Sequence, residues 1–207
     1  MIKLAVLLTG SGTTLENLFQ QRDAGLLNAD VAVVVSSRAG AFGLERAKKR
    51  GVPAHLVERK KFVLPEEFSA AVFETIEPYK PDLVCLAGFM SLLRIPESYT
   101  HRVINIHPSL LPAFGGKGYY GQRVHESVLK TGCTVTGCTA HFVDNEYDQG
   151  PIIMQRAVDV LMDDTPESLG ARVQAAEHEV FPKVIEHFAQ GELKVEGRRV
   201  RITKSPR

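Results

Sequence analysis

Two polar side chains stand at the end of an otherwise apolar segment, VINIHPSLLP (residues 103–112). Its β-branched residues favour a strand, and because side chains alternate along a strand, Asn105 and His107 project from the same face. Pro108 lacks the N–H that an inner strand needs, so we expect the strand to end there. A histidine in a strand is commonly a hydrogen-bonded core residue; the alternative is that this pair begins an active site.

A turn rich in acidic residues, VDNEYDQGP (residues 143–151), offers a partner for the imidazole. Asp148, with Asp144 and Glu146 nearby, is either part of a solvated turn or a carboxylate that folds onto His107. In the second case the carboxylate stabilises imidazolium and raises the histidine pKa from its ordinary value of about 6.5. The amide of Asn105 could then donate to a developing oxyanion. With no serine or cysteine nucleophile at a motif, this trio suits direct acyl transfer to an amine, with His107 as the proton shuttle.

A second candidate site is the segment TGSGTTLE (residues 9–16), which lies between a predicted strand and a predicted helix. Free backbone N–H groups at a helix N-terminus bind anions, and phosphate above all. One interpretation is therefore a monophosphate cradle made by Gly12, Thr13 and Thr14. Another is a plain tight turn in which a threonine caps the helix.

A dinucleotide site is a further interpretation of the same loop. The pattern Gly-x-Gly-x-x-Gly is incomplete, because Leu15 stands where the third glycine belongs. The residues after the second predicted strand, SSRAG, include no acid for a ribose of NAD, although Arg38 could face the 2′-phosphate of NADP. The lysine of a nucleoside triphosphate-binding loop is missing, which disfavours that site.

These residues need a scaffold, and the apolar patterning predicts one of the α/β class. Strands are predicted at residues 2–8, 31–35, 54–57, 82–87, 102–107, 133–143 and 151–160, and helices near 13–24, 41–50, from Pro65 onward and from Pro166 to Gly191. Alternating strands and helices predict an open parallel sheet covered by helices. The last two strands, joined by the acidic turn, could form an antiparallel pair at its edge. The tail, residues 196–207, predicts a short final strand and a frayed end.

Composition places the chain among globular proteins. It has 207 residues, of which 44% are hydrophobic and 24% charged, and a net charge of +1. We see no linker or repeat, so we expect a single domain spanning residues 1–207. A near-neutral charge provides no general attraction for nucleic acid or an anionic membrane, and neither is expected as a partner. No apolar run reaches the length of a membrane-spanning helix, and the apolar start reads as a strand rather than a signal peptide.

The three cysteines favour a reducing compartment and a cytoplasmic protein, because their number is odd and no secretory leader is predicted. Cys85 lies in an apolar run and is expected to be a small buried residue. Cys133 and Cys138 have no second pair of ligands at zinc spacing, so we predict no metal site.

Four motifs together resemble one family. TGSGTTLEN, LAGFM, NIHPSLLP and HFVDNEYDQGPII occur in the order and spacing found in phosphoribosylglycinamide formyltransferases, from about residue 2 to about residue 195. The resemblance implies a Rossmann-like formyltransferase fold, with a mostly parallel twisted sheet, helices on both faces and antiparallel strands added in the C-terminal half. It also implies formyl transfer from 10-formyltetrahydrofolate, the co-substrate, to the amine of phosphoribosyl glycinamide in purine biosynthesis, without a metal.

The resemblance also assigns site residues. The family's catalytic residues correspond to Asn105, His107 and Asp148. Residues that bind the substrate correspond to Gly12, Thr13, Thr14, Pro108, Gln174 and Glu177. Residues that bind the folate correspond to Met90, Ser91, Leu92, Leu93, Asn105, Val143 and Asp144. By this assignment residues 1–100 bind the substrate phosphate, and residues 101–195 hold the catalytic and folate-binding groups.

Some positions differ from the family's usual pattern. Ser91 and Pro65 stand where the family often has arginine, and the resemblance suggests Lys60 and Lys61 as compensating cations near the folate tail. The segment from residue 115 to residue 121 is longer than usual and rich in glycine. It reads as either a flexible flap beside the site or a mobile surface insertion.

Other functions remain as alternatives. A formyltetrahydrofolate hydrolase would transfer the formyl group to water, but such chains usually carry HHSFLP rather than HPSLLP. A methionyl-tRNA formyltransferase would need an RNA-binding domain and a basic surface. A non-catalytic nucleotide-binding module would use the glycine loop alone. The expected partners are small molecules, and the chain is expected to be a monomer or a homodimer.

Overall fold

The apolar run at the start of the chain forms strand β1 (Ile2–Leu8), in which residues 4–8 are fully buried. In the computed structural model, which describes residues 1–203, the chain divides into two compact units, Met1–Ile104 and Asn105–Arg207. A strand with no exposed face is typical of a parallel sheet covered on both sides. The single-domain organisation stays a prediction.

The first unit alternates strands and helices as expected. After β1 come α1 (Thr13–Asp23), β2 (Ala29–Ser36), α2 (Phe42–Lys49), β3 (Ala54–Leu56), α3 (Pro65–Ile76) and β4 (Leu83–Leu86). The strand order is β3-β2-β1-β4, and each of these pairings is parallel. Pro65 occupies the first turn of α3, where a missing N–H costs nothing.

Strand β5 (Val103–His107) leads the chain into the second unit. There follow α4 (Gln122–Thr131), β6 (Val135–Phe142), β7 (Ile152–Asp159), α5 (Pro166–Ala189), β8 (Leu193–Glu196) and β9 (Arg199–Ile202). The strand order is β5-β6-β7-β9-β8, with β6 antiparallel to β7 and β8 antiparallel to β9. The predicted α/β class, mostly parallel with antiparallel strands in the C-terminal half, is confirmed.

The ends of α5 follow local sequence signals. Thr165 accepts a hydrogen bond from the backbone N–H of Ser168, and the Ser168 side chain accepts one from the Thr165 N–H, which forms a capping box. Gly191, with φ of 68°, follows the last turn as a C-terminal glycine should.

Two elements differ from the sequence-based expectation. Helix α4 was not predicted, because it starts after Gly121 without a side-chain cap and follows a glycine-rich segment. The final strand predicted in the tail is β9, and it forms a hairpin with β8, which precedes the tail and was not predicted. The frayed end falls on residues 204–207, which lie outside the described residues. Across residues 1–203, every helix is too short or too polar to cross a membrane.

Candidate active site

Strand β5 and the acidic turn after β6 bring three polar side chains together. Asn105 and His107 lie on β5, and Asp148 lies 43 residues after Asn105 in the chain. The Asp148 Oδ1 atom is 3.5 Å from Asn105 Nδ2 and 3.6 Å from His107 Nδ1. The predicted acidic partner of the histidine is therefore Asp148. Asp144 instead accepts the backbone N–H of Glu146 within the turn, at 2.9 Å.

Asp148 is held in place from the opposite side by the backbone. Its Oδ2 atom accepts the N–H of Gly116 at 2.8 Å, and only 11% of its side chain is exposed. The residue has φ of 56°, in the left-handed region that aspartate tolerates better than most residues. The turn is thus not a solvated surface feature at this position, because it directs a carboxylate into the protein.

His107 is buried and has a defined tautomer when neutral. Its Nε2 atom lies 2.8 Å from the carbonyl oxygen of Phe114, which can only accept a hydrogen bond. Nε2 therefore carries a hydrogen, and the lone pair of the neutral ring is on Nδ1, which faces Asp148. An imidazole in this state is a proton acceptor at Nδ1.

The pKa of His107 moves in the direction opposite to the sequence-based expectation. Burial lowers it, and although the charge of Asp148 and the hydrogen bond to Phe114 both raise it, burial prevails. Burial also acts to raise the pKa of Asp148, but the neighbouring imidazoles of His141 and His107 and the N–H of Gly116 lower it overall. The site therefore combines an ionised carboxylate with a neutral imidazole near pH 7.

A fourth side chain in this cluster, His141 on β6, was not predicted from the sequence. It is 1% exposed, and its Nε2 atom lies 3.1 Å from Asn105 Nδ2 and 3.6 Å from Asp148 Oδ1. A signal was present in the sequence, since His141 opens the motif HFVDNEYDQGP that contains Asp148. The alternation along β6 could not show that its ring reaches Asn105.

The glycine-rich segment 115–121 begins at this cluster. Phe114 has φ of 51°, which directs its carbonyl to His107, and Gly116 has φ of 95° and donates to Asp148. A Cβ atom on Gly115 would lie 2.4 Å from the Cδ2 atom of Leu111, so a larger residue here would require the Leu111 side chain to move. In the structure the backbone of Phe114 and Gly116 is hydrogen-bonded to His107 and Asp148. Lys117, the next residue, is exposed.

The glycine loop of the first unit is built mainly from backbone. Gly12 precedes α1 with φ of 71° and no side-chain cap, so the alternative in which a threonine caps the helix is wrong. A Cβ atom on Gly12 would lie 2.7 Å from the Cα atom of Gly43, which only glycine avoids. The Gly43 N–H donates to the Gly10 carbonyl at 3.1 Å, and Arg46 Nε donates to the Ser11 carbonyl at 3.0 Å. These bonds fix the loop against α2.

The predicted folate-binding segment follows β4. Met90 is 45% exposed, and its N–H donates to the hydroxyl of Thr9 at 3.1 Å. Ser91 and Leu92 are half-buried, whereas Leu93 is only 1% exposed and belongs to the core. Lys60 and Lys61, proposed as compensating cations, both form ion pairs with Glu58, at 3.0 and 2.8 Å.

The other predicted residues take separate positions in the second unit. Pro108 directly follows β5, and Val143 and Asp144 follow β6. Gln174 and Glu177 lie one turn apart on α5 and are half-buried, and desolvation raises the pKa of the Glu177 carboxyl to about 8. A carboxyl with that pKa is largely protonated at neutral pH, so it can donate as well as accept a hydrogen bond.

Cys85 and Cys138 are buried free thiols. Cys85 is fully buried as expected, and burial raises the pKa of its thiol. Burial likewise raises the pKa of Cys138 to about 12. Within residues 1–203, no cluster of three or more histidine, cysteine or acidic side chains is arranged to hold a metal ion.

Comparisons with known proteins identify the family to which this chain is similar. A family model described as formyl transferase matches residues 2–185. The phosphoribosylglycinamide formyltransferase of Escherichia coli is 37% identical over 94% of this chain and 90% of its own length. The trifunctional purine biosynthetic protein adenosine-3 of Gallus gallus is 41% identical, and the chain spans 19% of its length.

Solved structures give the same result. Glycinamide ribonucleotide transformylase 1 from Symbiobacterium toebii matches with a TM-score of 0.92 and 46% identity, over 99% of this chain and 95% of that one. A formyltetrahydrofolate deformylase from Pseudomonas syringae matches with a TM-score of 0.86 but 24% identity, over 98% of this chain and 66% of that one. At that identity the second match shows a shared fold alone.

Proposed function

The chain belongs to the formyl transferase family, and we propose that it is a phosphoribosylglycinamide formyltransferase of purine biosynthesis. It transfers a formyl group from 10-formyltetrahydrofolate to the amine of phosphoribosyl glycinamide. The observation that carries this proposal is the convergence of Asn105, His107 and Asp148 at one carboxylate oxygen. The relatives named for this activity add support.

The chemistry follows from the protonation states. The substrate amine attacks the formyl carbon, a C–N bond forms, and the carbonyl oxygen becomes an oxyanion. Asn105 Nδ2 donates a hydrogen bond to that oxyanion. Neutral His107 accepts the proton that the amine loses, and the negative charge of Asp148 stabilises the resulting imidazolium. As the intermediate collapses, the bond to the folate nitrogen breaks, and that nitrogen receives the proton.

The binding residues complete the proposal. In the first unit, the N–H groups at the start of α1, with Gly12, Thr13 and Thr14, are proposed to hold the substrate phosphate, and residues 90–93 to bind the folate. In the second unit, Pro108, Gln174 and Glu177 are proposed to bind the substrate, and Asn105, Val143 and Asp144 to bind the folate. Location in the cytoplasm and oligomeric state, monomer or homodimer, stay predictions.

A formyltetrahydrofolate hydrolase is the second candidate, favoured by the shared fold with the deformylase. A hydrolase uses the same formyl donor, 10-formyltetrahydrofolate, but transfers the formyl group to water rather than to an amine. An assay can therefore distinguish the two functions by adding or omitting the amine. Purified protein is mixed with 10-formyltetrahydrofolate, with and without phosphoribosyl glycinamide. We expect folate release that requires the amine and equals the amount of formylated product found by mass spectrometry. Release that ignores the amine identifies a hydrolase, and absence of release contradicts both functions.

A further inference from the structure

His141 is the one side chain of the catalytic cluster to which the proposed mechanism gives no task. It is almost fully buried and contacts Asn105 directly. A polar ring is costly to bury unless its nitrogen atoms are hydrogen-bonded. The partners of its two nitrogen atoms therefore show what the ring does.

The hydrogen bonds of His141 define its protonation. Its Nδ1 atom lies 2.8 Å from the carbonyl oxygen of Phe142, and a carbonyl oxygen can only accept. Nδ1 therefore carries a hydrogen, and in the neutral ring Nε2 is an acceptor. The group at 3.1 Å from Nε2 is the side-chain nitrogen of Asn105, which is a donor.

This pairing sets the orientation of the Asn105 amide. One hydrogen of Nδ2 is held by the lone pair of His141, so the amide cannot rotate by 180° without directing its oxygen at that lone pair. The second hydrogen of Nδ2 faces Asp148 Oδ1 at 3.5 Å, the limit of a hydrogen bond. That weakly bound hydrogen is the one available for a reacting oxygen.

The backbone around His141 is built for this contact. The β6–β7 pairing shifts between Ala140 and His141, because Ala140 pairs with Met154 and His141 with Ile152. Such a bulge redirects the neighbouring side chain. A Cβ atom on Gly150 would lie 1.8 Å from the Phe142 carbonyl oxygen, so glycine is required there to leave room for the group that receives the Nδ1 hydrogen.

We infer that His141 is a positioning residue that holds Asn105 with its N–H toward the oxyanion, by accepting one amide hydrogen at Nε2. This inference rests on the proposed formyl transfer. The titratable groups near the ring are Asp148, which is ionised, and, on the other side of that carboxylate, His107, which is neutral. His141 itself exchanges no proton with the substrates in this scheme.

Two matched substitutions separate positioning from packing. In His141→Asn the side-chain nitrogen overlaps Nδ1 and preserves the bond to Phe142, but it does not reach Asn105. In His141→Gln the terminal oxygen reaches the place of Nε2 and accepts from Asn105. We expect the Asn variant to lose about 10²-fold in kcat with little change in KM, because a misplaced donor costs about that much. The Gln variant should keep kcat within about tenfold of the unsubstituted protein.

A double substitution tests whether His141 acts through Asn105. If it does, His141→Asn adds nothing to the loss of kcat already caused by Asn105→Ala. A further loss in that background, or equal losses in the Asn and Gln variants, overturns the inference. Circular dichroism and thermal unfolding of each variant exclude loss of folding as the cause.

A measurement without substrate keeps the inference separate from the proposed function. In protein labelled with ¹⁵N-histidine, the ring signals that disappear in His141→Asn belong to His141. We expect a protonated Nδ1 and an unprotonated Nε2 at neutral pH. Hydrogen on Nε2 overturns the inference even if the enzyme is active. If the unsubstituted protein transfers no formyl group at all, it is the proposed function that fails.

Discussion

The catalytic cluster and the glycine loop perform their proposed tasks with different parts of the chain. The cluster uses side chains on β5, on β6 and in the acidic turn, held by hydrogen bonds between residues far apart in sequence. The loop uses backbone N–H groups of consecutive residues, fixed by close packing of Gly12 on Gly43. Activity should therefore depend on which side chains the cluster carries. Substrate binding at the loop should depend on whether a glycine such as Gly12 gains a side chain at all.

The largest expected effect is in the cluster. His107→Ala and Asp148→Asn should each lower kcat by about 10²–10⁴-fold, because each removes a partner of the proton transfer. Steady-state kinetics with both substrates measures this effect, and Asp148→Asn replaces the carboxylate by an amide of nearly the same shape. Near-normal turnover in either variant, with the fold intact by circular dichroism, contradicts the mechanism.

Gly12 and Gly10 of the loop differ in whether the structure has room for a Cβ atom. Gly12→Ala places a Cβ 2.7 Å from the Gly43 backbone at positive φ, whereas a Cβ on Gly10 meets nothing within 4 Å. We expect Gly12→Ala to raise KM for phosphoribosyl glycinamide at least about tenfold, since the strain of about 1–2 kcal/mol displaces the loop. Gly10→Ala is the control and should leave this KM nearly unchanged. Equal effects of the two would show that the backbone cradle is not the binding element.

The pH dependence follows from the lowered pKa of His107. The ring must be neutral to accept a proton, so kcat should fall as the pH drops through a value below about 6.5, the ordinary histidine pKa. Because the charge of Asp148 raises the His107 pKa, Asp148→Asn should lower that pKa further. Titration of the His107 ring by NMR in both proteins measures this shift. A higher pKa in the variant would mean that Asp148 does not act on the ring by its charge.

The smallest effect belongs to a side chain of the loop. Thr13→Ser leaves the backbone N–H groups in place, so KM for phosphoribosyl glycinamide should change by no more than about twofold, which is typical of a mild surface substitution. Its counterpart in the cluster, Asp148→Asn, changes the side-chain volume even less but should abolish most activity. A large effect of Thr13→Ser would show that the loop also binds through side chains.

Local signals made much of the fold predictable. The apolar runs of β1 and β2, Pro65 at the start of α3 and Thr165 before α5 depend on residues close in sequence. Helix α4 carried no such signal, because a glycine at positive φ precedes it and no side chain caps it. The start of a helix is therefore predictable where its first residues include a capping side chain or a proline, and α4 has neither.

The catalytic cluster was predictable in part for a different reason. Asn105 and His107 share a strand face, which alternation alone indicates, but Asp148 was one of three acids in a turn. The place of His141 depends on a bulge between β6 and β7, which changes the direction of one side chain. The direction in which the pKa of His107 shifts depends on how deeply the ring is buried, and the depth of burial cannot be read from a sequence motif.

The flap holds His107 and Asp148 through a carbonyl oxygen of Phe114 and an N–H of Gly116, both of which are main-chain atoms. These two contacts do not involve the exposed side chains of Lys117 and Tyr120, whereas the Tyr119 ring packs edge-on against Phe114, with 6.2 Å between the ring centroids. For a protein engineer, Lys117 and Tyr120 are positions that can be varied without removing a hydrogen bond from the catalytic centre.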